Sequence, residues 1–340
     1  MSAHCFEGKT LAVMLGGTAA ERSISLESGE NIARALEQAG AAVLRVDPAE
    51  AGWPERLKDA AFVFNLLHGP GGEDGTVQGL FELMKLPYSG CGVLASALTM
   101  DKIRTKLLWQ GAGLATPAWR ELEATSDWQS VIDDLGTVFV KPALEGSSLG
   151  MSKAETADEL AASFEHAASF GAPVMAEQFI PGAEYTVAIL GERALPSIRI
   201  DVASDFYDFD AKYHSDETRF SCPSDLTAEA EADLAQCALQ AFRAVDGSVW
   251  GRVDVIRDET GQWQLLEVNT IPGMTSHSLV PLAAKVAGLS LIDLLGEIYD
   301  LSMEMRHARA EAGCHSSSGQ IQAGSQDALL PTDFTTAALV

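Results

Sequence analysis

Four polar side chains interrupt two otherwise apolar strands that the sequence predicts between residues 251 and 273. They are Arg252 and Asp254 in "GRVDV", and Glu267 and Asn269 in "LLEVN". Residues i and i+2 of a strand share one face, so each polar pair points to one side. With a turn at "DETG", we expect residue 252 opposite 267 and residue 254 opposite 265. All four polar side chains then share one face, and residues 266 and 268 lie on the other.

This polar face could hold a metal ion. In the expected register, Asp254 and Glu267 are diagonal neighbours about 7–8 Å apart at the backbone. Two partly buried carboxylates repel each other unless a cation lies between them, and hard oxygen ligands of this kind suit Mg²⁺ or Mn²⁺. The spacing alone leaves a second interpretation open, in which the hairpin lies at a sheet edge and its polar face is solvated.

A second group of residues is suited to binding phosphate. Lys141 ends an apolar strand, and the loop "ALEGSSLG" follows it with Ser147 and Ser148. Glycines let a backbone approach a phosphate closely, while hydroxyl and N–H groups donate hydrogen bonds. Lys102, at the start of a predicted helix, is a second candidate cation. The loop matches neither a Walker loop nor a G-x-G-x-x-G motif, so an ordinary Ser/Gly loop stays possible.

Two glutamates flank a turn in "VMAEQFIPGAEYTVAIL". Glu177 and Glu184 could accept hydrogen bonds from an adenine amino group and from ribose hydroxyls. The backbone of Phe179 and Ile180 could contact the edge of the purine. The alternative is that both glutamates are simply solvated beside the turn.

The net charge and the cysteine content limit which partners and which cellular compartment are expected. The chain has 340 residues, a formal net charge of −25 and 47% hydrophobic residues. So acidic a surface argues against nucleic acid or an anionic membrane as partner, but a local cluster of lysines could still hold ATP. The five cysteines are scattered and form no C-x-x-C pair, which fits reduced thiols in a cytoplasmic protein. No signal peptide and no apolar run of about 18 residues is apparent.

The order of predicted elements indicates an α/β protein with three domains. Strands alternate with helices at residues 28–40 and 75–86, which predicts a parallel sheet in an N-terminal domain, residues 1–100. A central α+β domain is expected at 101–185 and a C-terminal domain at 186–305. The C-terminal domain is expected to hold strands at 194–200 and 206–213. Helical periodicity stops after Met305, so residues 306–340 are predicted to form a flexible tail.

Several segments, in this order, resemble those of the ATP-grasp ligases and specifically of the D-alanine–D-alanine ligase family. They include "GGTAAERSISLESG", "HGPGGEDGTVQGLFE", "FVKPALEGSSLGMSK", "FYDFDAKYHSDET", "WGRVDV" and "LLEVNTIPGMTSHSLVP". The resemblance implies a nucleotide held between the central and C-terminal domains. It also implies that ATP phosphorylates one D-alanine and that the amine of a second D-alanine displaces phosphate. Mg²⁺ or Mn²⁺, as two ions, and a homodimer are further expectations from the resemblance.

The resemblance also implies roles for individual residues. Glu21 holds the ammonium group of the first D-alanine, in a pocket that His68 lines. Ser147 and Tyr213 link to Glu21 by hydrogen bonds and close the loops over the site. Tyr213 further favours an amine over a hydroxyl as the nucleophile.

The remaining roles concern the acyl centre, the second substrate, the metal and the nucleotide. Arg252 and the N–H of Gly273 stabilise the oxyanion, and Ser278 and Leu279 bind the carboxylate of the second D-alanine. The implied metal ligands are Asp254, Glu267 and Asn269. The implied nucleotide site is Lys102, Lys141, Ser148, Glu177, Phe179, Ile180, Glu184 and Lys212.

Two other functions remain as alternatives. Another ATP-grasp carboxylate–amine ligase would keep the hairpin and Lys141 but should lack Glu21 and the "SHSL" segment. A nucleotide-binding regulatory protein without catalysis should show damage at Arg252, Asp254 or Glu267. The sequence retains all of these features.

Overall fold

The structure is a computed structural model, and it describes residues 6–146, 149–201 and 218–316, with side chains up to residue 308. In this part of the chain the strands form three sheets. The predicted strand at 206–213 lies outside the described residues. We number strands and helices in chain order.

The first sheet is parallel, as predicted, with the order β2-β1-β3. Its strands are β1 (Thr10–Met14), β2 (Ala42–Val46) and β3 (Phe62–Asn65). The helices that accompany it are α1 (Arg22–Gln38), α2 (Thr76–Met84) and α3 (Val93–Met100), with a 3-10 turn at Trp53–Leu57. Sequence analysis did not predict α3.

Helix α1 begins at Arg22, so the start predicted at residue 28 is wrong. Its buried face includes Ser25 and Ser28, which an apolar pattern does not reveal. The hydroxyl of Ser25 donates to the carbonyl of Leu66 at 2.7 Å and accepts the N–H of Gly16 at 2.9 Å. These bonds satisfy the buried hydroxyl and tie the start of α1 to the ends of β1 and β3.

The second sheet is antiparallel, with the order β4-β7-β5-β6. Its strands are β4 (Trp119–Leu122), β5 (Val138–Pro142), β6 (Ser152–Ala154) and β7 (Val174–Gln178). Helices α5 (Trp128–Leu135) and α6 (Ala157–Ala168) pack on it around Val138, Val140 and Leu160. Thr156 and Glu159 form a capping box that fixes the start of α6. Helix α4 (Lys102–Gly111) precedes this sheet.

The third sheet has the order β11-β10-β8-β12-β13, with β9 added to β8. Its strands are β8 (Gly182–Leu190), β9 (Arg193–Ala194), β10 (Ile198–Asp201), β11 (Arg219–Ser221), β12 (Trp250–Asp258) and β13 (Trp263–Asn269). Helix α7 (Ala228–Ala244) packs behind it. Strand β8 begins within the range expected for the central domain, residues 101–185, but it pairs in this third sheet.

The last helices return to the first sheet. Helices α8 (Leu279–Val286) and α9 (Leu291–Ser316) share a core with β1, in which Leu294 and Ile298 contact the cluster around Leu11. Helix α9 continues past residue 305, where helical periodicity was expected to stop. Among the described residues no single helix is long and apolar enough to cross a membrane, although α8 and α9 meet that criterion as a pair bent by 101°.

Candidate functional site

A cleft of about 450 Å³ lies between the second and third sheets. Its lining combines lysines, carboxylates and apolar side chains. Residues predicted to bind nucleotide or metal are prominent in it: Lys102, Lys141, Glu177, Phe179, Ile180, Glu184, Asp254 and Glu267. The fold therefore brings together groups that are spread over about half of the sequence.

The hairpin of β12 and β13 forms one wall of this cleft, in a register that differs from the predicted one. Asp254 lies directly opposite Glu267, and Arg252 lies opposite Asn269. Nearer the turn, Val255 lies opposite residue 265, so the register shifts by one residue between Asp254 and Val255. The predicted pairing of 254 with 265 is wrong, because one extra residue in β13, residue 266, forms a β-bulge.

The bulge decides which way Glu267 points. Continuing the register from the turn would place Asp254 opposite Leu266 and would turn Glu267 toward the core that contains Val253 and Val268. With the bulge, Leu266 and Glu267 both line the cleft. The expected position of Leu266 on the opposite face is therefore wrong. The expected common face for the four polar side chains is present.

Asp254 is 5% exposed and accepts several hydrogen bonds. Arg252 donates from Nε to Oδ1 at 2.9 Å and from Nη2 to Oδ2 at 2.8 Å. Asn269 donates from Nδ2 to Oδ2 at 3.0 Å, and the hydroxyl of Thr186, on β8, donates to Oδ1. These bonds hold the carboxylate in place and bring Arg252 to the cleft wall.

The same face also carries oxygen atoms that could bind a metal ion. Within the described ranges no group of three His, Cys, Asp or Glu side chains is placed to hold one. Asp254, Glu267 and Asn269 supply instead two carboxylates and an amide, and Nζ of Lys102 lies 3.7 Å from Oε2 of Glu267. Mg²⁺ and Mn²⁺ usually take part of their coordination from phosphate and water oxygens, so this incomplete set of hard oxygen donors fits them.

Glu177, on β7, is 2% exposed and carries two ion pairs. Its Oε1 pairs with the ammonium group of Lys106, and its Oε2 pairs with that of Lys141. Burial acts to raise the pKa of Glu177, but the charges of Lys106 and Lys141 outweigh burial and hold the pKa below its ordinary value. The carboxylate is therefore ionised at neutral pH.

Sequence analysis missed Lys106. It lies on α4, one turn after Lys102, and is 1% exposed. The only available signal was this spacing of four residues, which puts both lysines on one side of the helix. Burial lowers the pKa of Lys106, while the charge of Glu177 acts in the opposite direction.

The other predicted nucleotide residues that the structure describes lie around the same cleft. Lys102 donates from Nζ to the carbonyl of Glu145 at 2.6 Å. The N–H of Phe179 donates to the carbonyl of Thr137 at 2.8 Å. A ligand would therefore meet the carbonyl oxygen of Phe179 rather than its N–H. Glu184 lies further along the cleft lining on β8.

A second cluster forms around Glu21, the residue at the N-terminus of α1. Glu21 is 2% exposed, and its Oε2 has no hydrogen-bond partner among the described residues. A Cβ atom on Gly146 would lie 2.6 Å from Oε1 of Glu21, so only glycine lets this loop approach the carboxylate. Gly146 directly follows Glu145, which lines the cleft, so the cluster and the cleft are contiguous.

His68 belongs to the same cluster. Its Nδ1 lies 2.8 Å from the carbonyl of Leu66, which can only accept, so Nδ1 carries the proton. Burial, together with the charge of Arg252, lowers the pKa of His68 to about 4. The ring is therefore neutral near pH 7. Its Nε2 is buried and has no partner among the described residues.

Gly273 and Ser278 complete the cluster. A Cβ atom on Gly273 would lie 2.9 Å from Oγ of Ser278 and 3.9 Å from Nε2 of His68. Ser278 precedes α8, and its Oγ accepts the N–H of Thr275 at 2.9 Å. Leu279 begins α8 with its side chain in the core. The N-terminus of α8 therefore lies beside His68, where its N–H groups favour an anion.

Glu73, in the loop "HGPGGEDG", also belongs here and was not singled out from the sequence. Its Oε2 accepts the N–H of Gly69 at 2.7 Å. Burial raises the pKa of Glu73 to about 8, and the charges of Glu21 and Glu267 add to the effect. An acidic residue within a glycine-rich loop was the available signal. Four predicted site residues lie outside the described residues: Ser147, Ser148, Lys212 and Tyr213.

The chain is similar to known proteins over most of its length. Residues 45–91 match the family described as D-ala D-ala ligase N-terminus, and residues 108–300 match D-ala D-ala ligase C-terminus. A D-alanine–D-alanine ligase B from Chromobacterium violaceum is 49% identical over 293 residues, which are 85% of this chain and 96% of that protein. A solved D-alanine–D-alanine ligase from Bacillus anthracis has a TM-score of 0.81 at 33% identity, covering 89% of this chain and 100% of that chain. A structure of the Bacillus anthracis ligase complexed with ATP has a TM-score of 0.79 at 31% identity, with the same coverage.

Proposed function

The chain belongs to the D-alanine–D-alanine ligase family, and from this we propose that it uses ATP to join two molecules of D-alanine. The products are D-alanyl-D-alanine, ADP and phosphate, and the dipeptide serves peptidoglycan precursor synthesis. Both the resemblance and the ATP-grasp fold class predicted from the sequence are confirmed by the matches.

One observation carries the proposal. Glu21 and His68 each present a buried polar atom without a partner among the described residues, next to a cleft lined by lysines. A buried carboxylate oxygen and an imidazole acceptor leave a place for a small cationic donor such as the ammonium group of an amino acid. The cluster is contiguous with the cleft, so a bound amino acid would lie near the phosphate-binding end.

ATP is required because a carboxylate is a poor acyl donor. Phosphorylation turns the carboxylate of the first D-alanine into an acyl phosphate, which the amine of the second D-alanine attacks. Bringing a carboxylate to a triphosphate requires cations, and Lys102 and Lys141 supply them at the cleft. Lys212, outside the described residues, is proposed as a third cation because of the family resemblance. Ser148 adds a donor to the phosphate-binding loop.

The adenosine end of ATP is assigned to the part of the cleft lined by the end of β7 and the start of β8. Glu177 and the carbonyl of Phe179 accept hydrogen bonds from the adenine amino group, and the backbone of Ile180 contacts the purine ring. Glu184 accepts from the ribose hydroxyls. Support comes from the position of all four residues in one cleft lining.

Asp254, Glu267 and Asn269 are proposed to hold Mg²⁺ or Mn²⁺, as two ions. Bound there, the metal supplies Lewis-acid stabilisation of phosphate charge. The support is the set of oxygen donors on one face of the hairpin.

Arg252 and the N–H of Gly273 are proposed to stabilise the oxyanion that forms when the second D-alanine attacks. The position of Arg252 supports this role, because it is bound to Asp254 in the cleft and its charge also acts on His68. The N-terminus of α8, at Ser278 and Leu279, binds the carboxylate of the second D-alanine. Ser147 and Tyr213 are proposed to bond to Glu21 and to close the site, which excludes water from the acyl phosphate.

The proposal extends to the domain organisation, the oligomeric state and the cellular location of the protein. We assign the first D-alanine site to residues 1–100, the central ATP-grasp domain to 101–185, and catalysis and metal binding to 186–305. A cytoplasmic homodimer is the proposed form, supported by the family and by the scattered cysteines. Light scattering during size-exclusion chromatography would measure the oligomeric state.

A coupled ADP-release assay tests the proposed function. D-alanine should stimulate ADP release and yield D-alanyl-D-alanine, whereas L-alanine should not. D-lactate, offered as acceptor with D-alanine as the first substrate, should yield less product than the dipeptide. ADP release that responds only to another amino acid would favour a different ATP-grasp ligase. ATP binding with no stimulated ADP release would favour a regulatory protein.

A further inference from the structure

Lys106 is a buried cation to which the proposed reaction assigns no role. It is 1% exposed and does not line the cleft, yet its ammonium group is paired with Glu177, which does. Burying a lysine is costly unless its charge is paired. The role of Lys106 should therefore be sought in its ion pair with Glu177.

Glu177 is shared by two lysines with different surroundings. The side chain of Lys141 is 16% exposed and lines the cleft, whereas that of Lys106 is 1% exposed behind it. Lys141 is the last residue but one of β5, beside the loop proposed to hold phosphate. Of the two cations, Lys141 can therefore reach a ligand in the cleft, and Lys106 cannot.

Lys106 is also held firmly from the other side. Its ammonium group donates to the hydroxyl of Thr116, and that hydroxyl donates to the carbonyl of Leu265 at 2.7 Å. The N–H of Leu265 in turn donates to the carbonyl of Ala115 at 2.9 Å. Lys106 is thus connected to β13, next to the bulge, through residues that do not line the cleft.

A buried carboxylate needs at least one counter-charge. If Lys141 alone were paired with Glu177, moving Lys141 to a phosphate would leave a buried, unpaired anion, which is strongly unfavourable. With Lys106 in place, Glu177 keeps one ion pair while Lys141 moves. We propose that Lys106 is a positioning residue that neutralises Glu177 and so frees Lys141 to pair with the phosphates of ATP.

This inference rests on the proposed function, since it takes Lys141 as a phosphate ligand. It predicts that removing Lys106 weakens the binding of ATP without a comparable effect on D-alanine binding or on kcat. In Lys106→Met, Lys141 is retained by Glu177, so the Kd and KM for ATP should rise about ten- to a hundredfold, which corresponds to about 1.4–2.8 kcal/mol. The KM for D-alanine, and kcat at saturating ATP, should change less than about twofold, because neither depends on releasing Lys141 once ATP is bound.

A double-mutant cycle separates this role from simple packing. Glu177→Gln removes the negative charge but keeps a carbonyl acceptor, so Lys141 no longer needs to be released. In the Glu177→Gln background, adding Lys106→Met should change the Kd for ATP less than about twofold, which is a strongly non-additive result. This comparison stays informative even if Lys106→Met alone folds poorly. In Glu177→Gln, Lys106 still donates to the hydroxyl of Thr116, and the double variant has no buried charge left unpaired at this position.

The experiment is calorimetric titration of ATP into the wild-type chain, both single variants and the double variant, alongside the ADP-release assay. Arg104→Met is the matched control, because Arg104 is an exposed cation on the same helix, paired with Asp101; its Kd for ATP should equal that of wild type. Equal losses of ATP affinity from Lys106→Met in both backgrounds, or no loss in either, would overturn the inference. A wild-type chain that binds no ATP would instead refute the proposed function.

Discussion

Asp254 of β12 faces Glu267 of β13 directly across the hairpin, because residue 266 forms a bulge in β13. The register set by the turn at Asp258 would point the side chain of Glu267 into the core. The bulge at residue 266 shifts the register by one residue, so that Glu267 points to the same face as Asp254. Both carboxylates consequently line the same cleft as Lys102 and Lys141. This arrangement leads to the first two predictions.

Removing the charge of Asp254 or of Glu267 should weaken metal binding and slow the reaction. Glu267→Gln and Asp254→Asn keep the size of the side chain but lose a charged oxygen ligand. We expect kcat to fall about a hundredfold or more, and a higher Mg²⁺ concentration to be needed for half-maximal rate. Titrating Mg²⁺ in the ADP-release assay measures both effects. Glu259→Gln, exposed at the turn of the same hairpin, is the control and should behave as wild type. Full activity in either cleft variant at the wild-type Mg²⁺ concentration would refute the metal assignment.

Arg252→Lys should reduce kcat far more than it changes either KM. A lysine keeps the positive charge but loses the planar pair of donors that Arg252 places on Asp254. That pair orients the guanidinium group, whose remaining N–H groups are proposed to reach the oxyanion. The expected loss in kcat is about 10²–10³, the range for removing one oxyanion donor. Steady-state kinetics with each substrate varied in turn gives the separate constants.

The control for this change is Arg257→Lys, on the same strand but stacked on Trp263 at 5.2 Å, away from the cleft. It should leave kcat unchanged. A drop in kcat of similar size in both variants would show that the effect arises from the strand and not from the cleft.

Glu21→Gln should weaken binding of the first D-alanine and stabilise the empty protein. The substitution removes a buried charge, one oxygen of which has no partner among the described residues. We expect the KM for the first D-alanine to rise about tenfold or more, since a charge-assisted bond to its ammonium group is lost. Without substrate, Tm should rise by about 2 °C, because less charge is buried unpaired.

Differential scanning calorimetry and initial-rate kinetics measure these two changes. Glu27→Gln, exposed on the same helix, is the control for both. A Glu21→Gln protein with lower Tm and unchanged KM would contradict the proposed substrate contact.

His68 should make the protein less stable as the pH falls. Its pKa is about 4 in the folded state against 6.5 for an unperturbed histidine, because the ring is buried. Between those values the unfolded chain takes up a proton that the folded chain does not, so stability is lost as the pH falls from about 6.5 to about 4. The loss attributable to His68 should reach about 3 kcal/mol.

The measurement is the free energy of unfolding by urea at several pH values, for the wild type and for His68→Gln. The free energy of unfolding of the wild type minus that of His68→Gln should decrease steadily as the pH falls below 6.5. Glu73 titrates in the same range with the opposite sign, but it is present in both proteins and cancels in the difference. His166→Gln, exposed on α6, should give a curve parallel to wild type. Parallel curves for His68→Gln would contradict burial of the neutral ring.

Local pattern explains which parts of the site could be predicted. Residues two apart in a strand share a face whatever their surroundings, so Arg252 and Asp254 were correctly placed together. The register across the hairpin depends on the turn and on residue 266, and no local pattern marked that bulge. Similarly, the first turns of α1 were not predicted, because Ser25 and Ser28 are polar residues on its buried face. Their burial depends on hydrogen-bond partners in the segments that follow β1, β3 and β13.

The sequence by itself determined the parallel N-terminal sheet, the polar face of the hairpin and the resemblance that led to the family. These depend on short-range periodicity and on ordered motifs. Only the tertiary structure decided that Glu267 faces the cleft, that His68 is neutral and that Lys106 is paired with Glu177. The physical reason is that burial and charge pairing arise between elements distant in the chain, and a side chain's ionisation and direction follow from those neighbours.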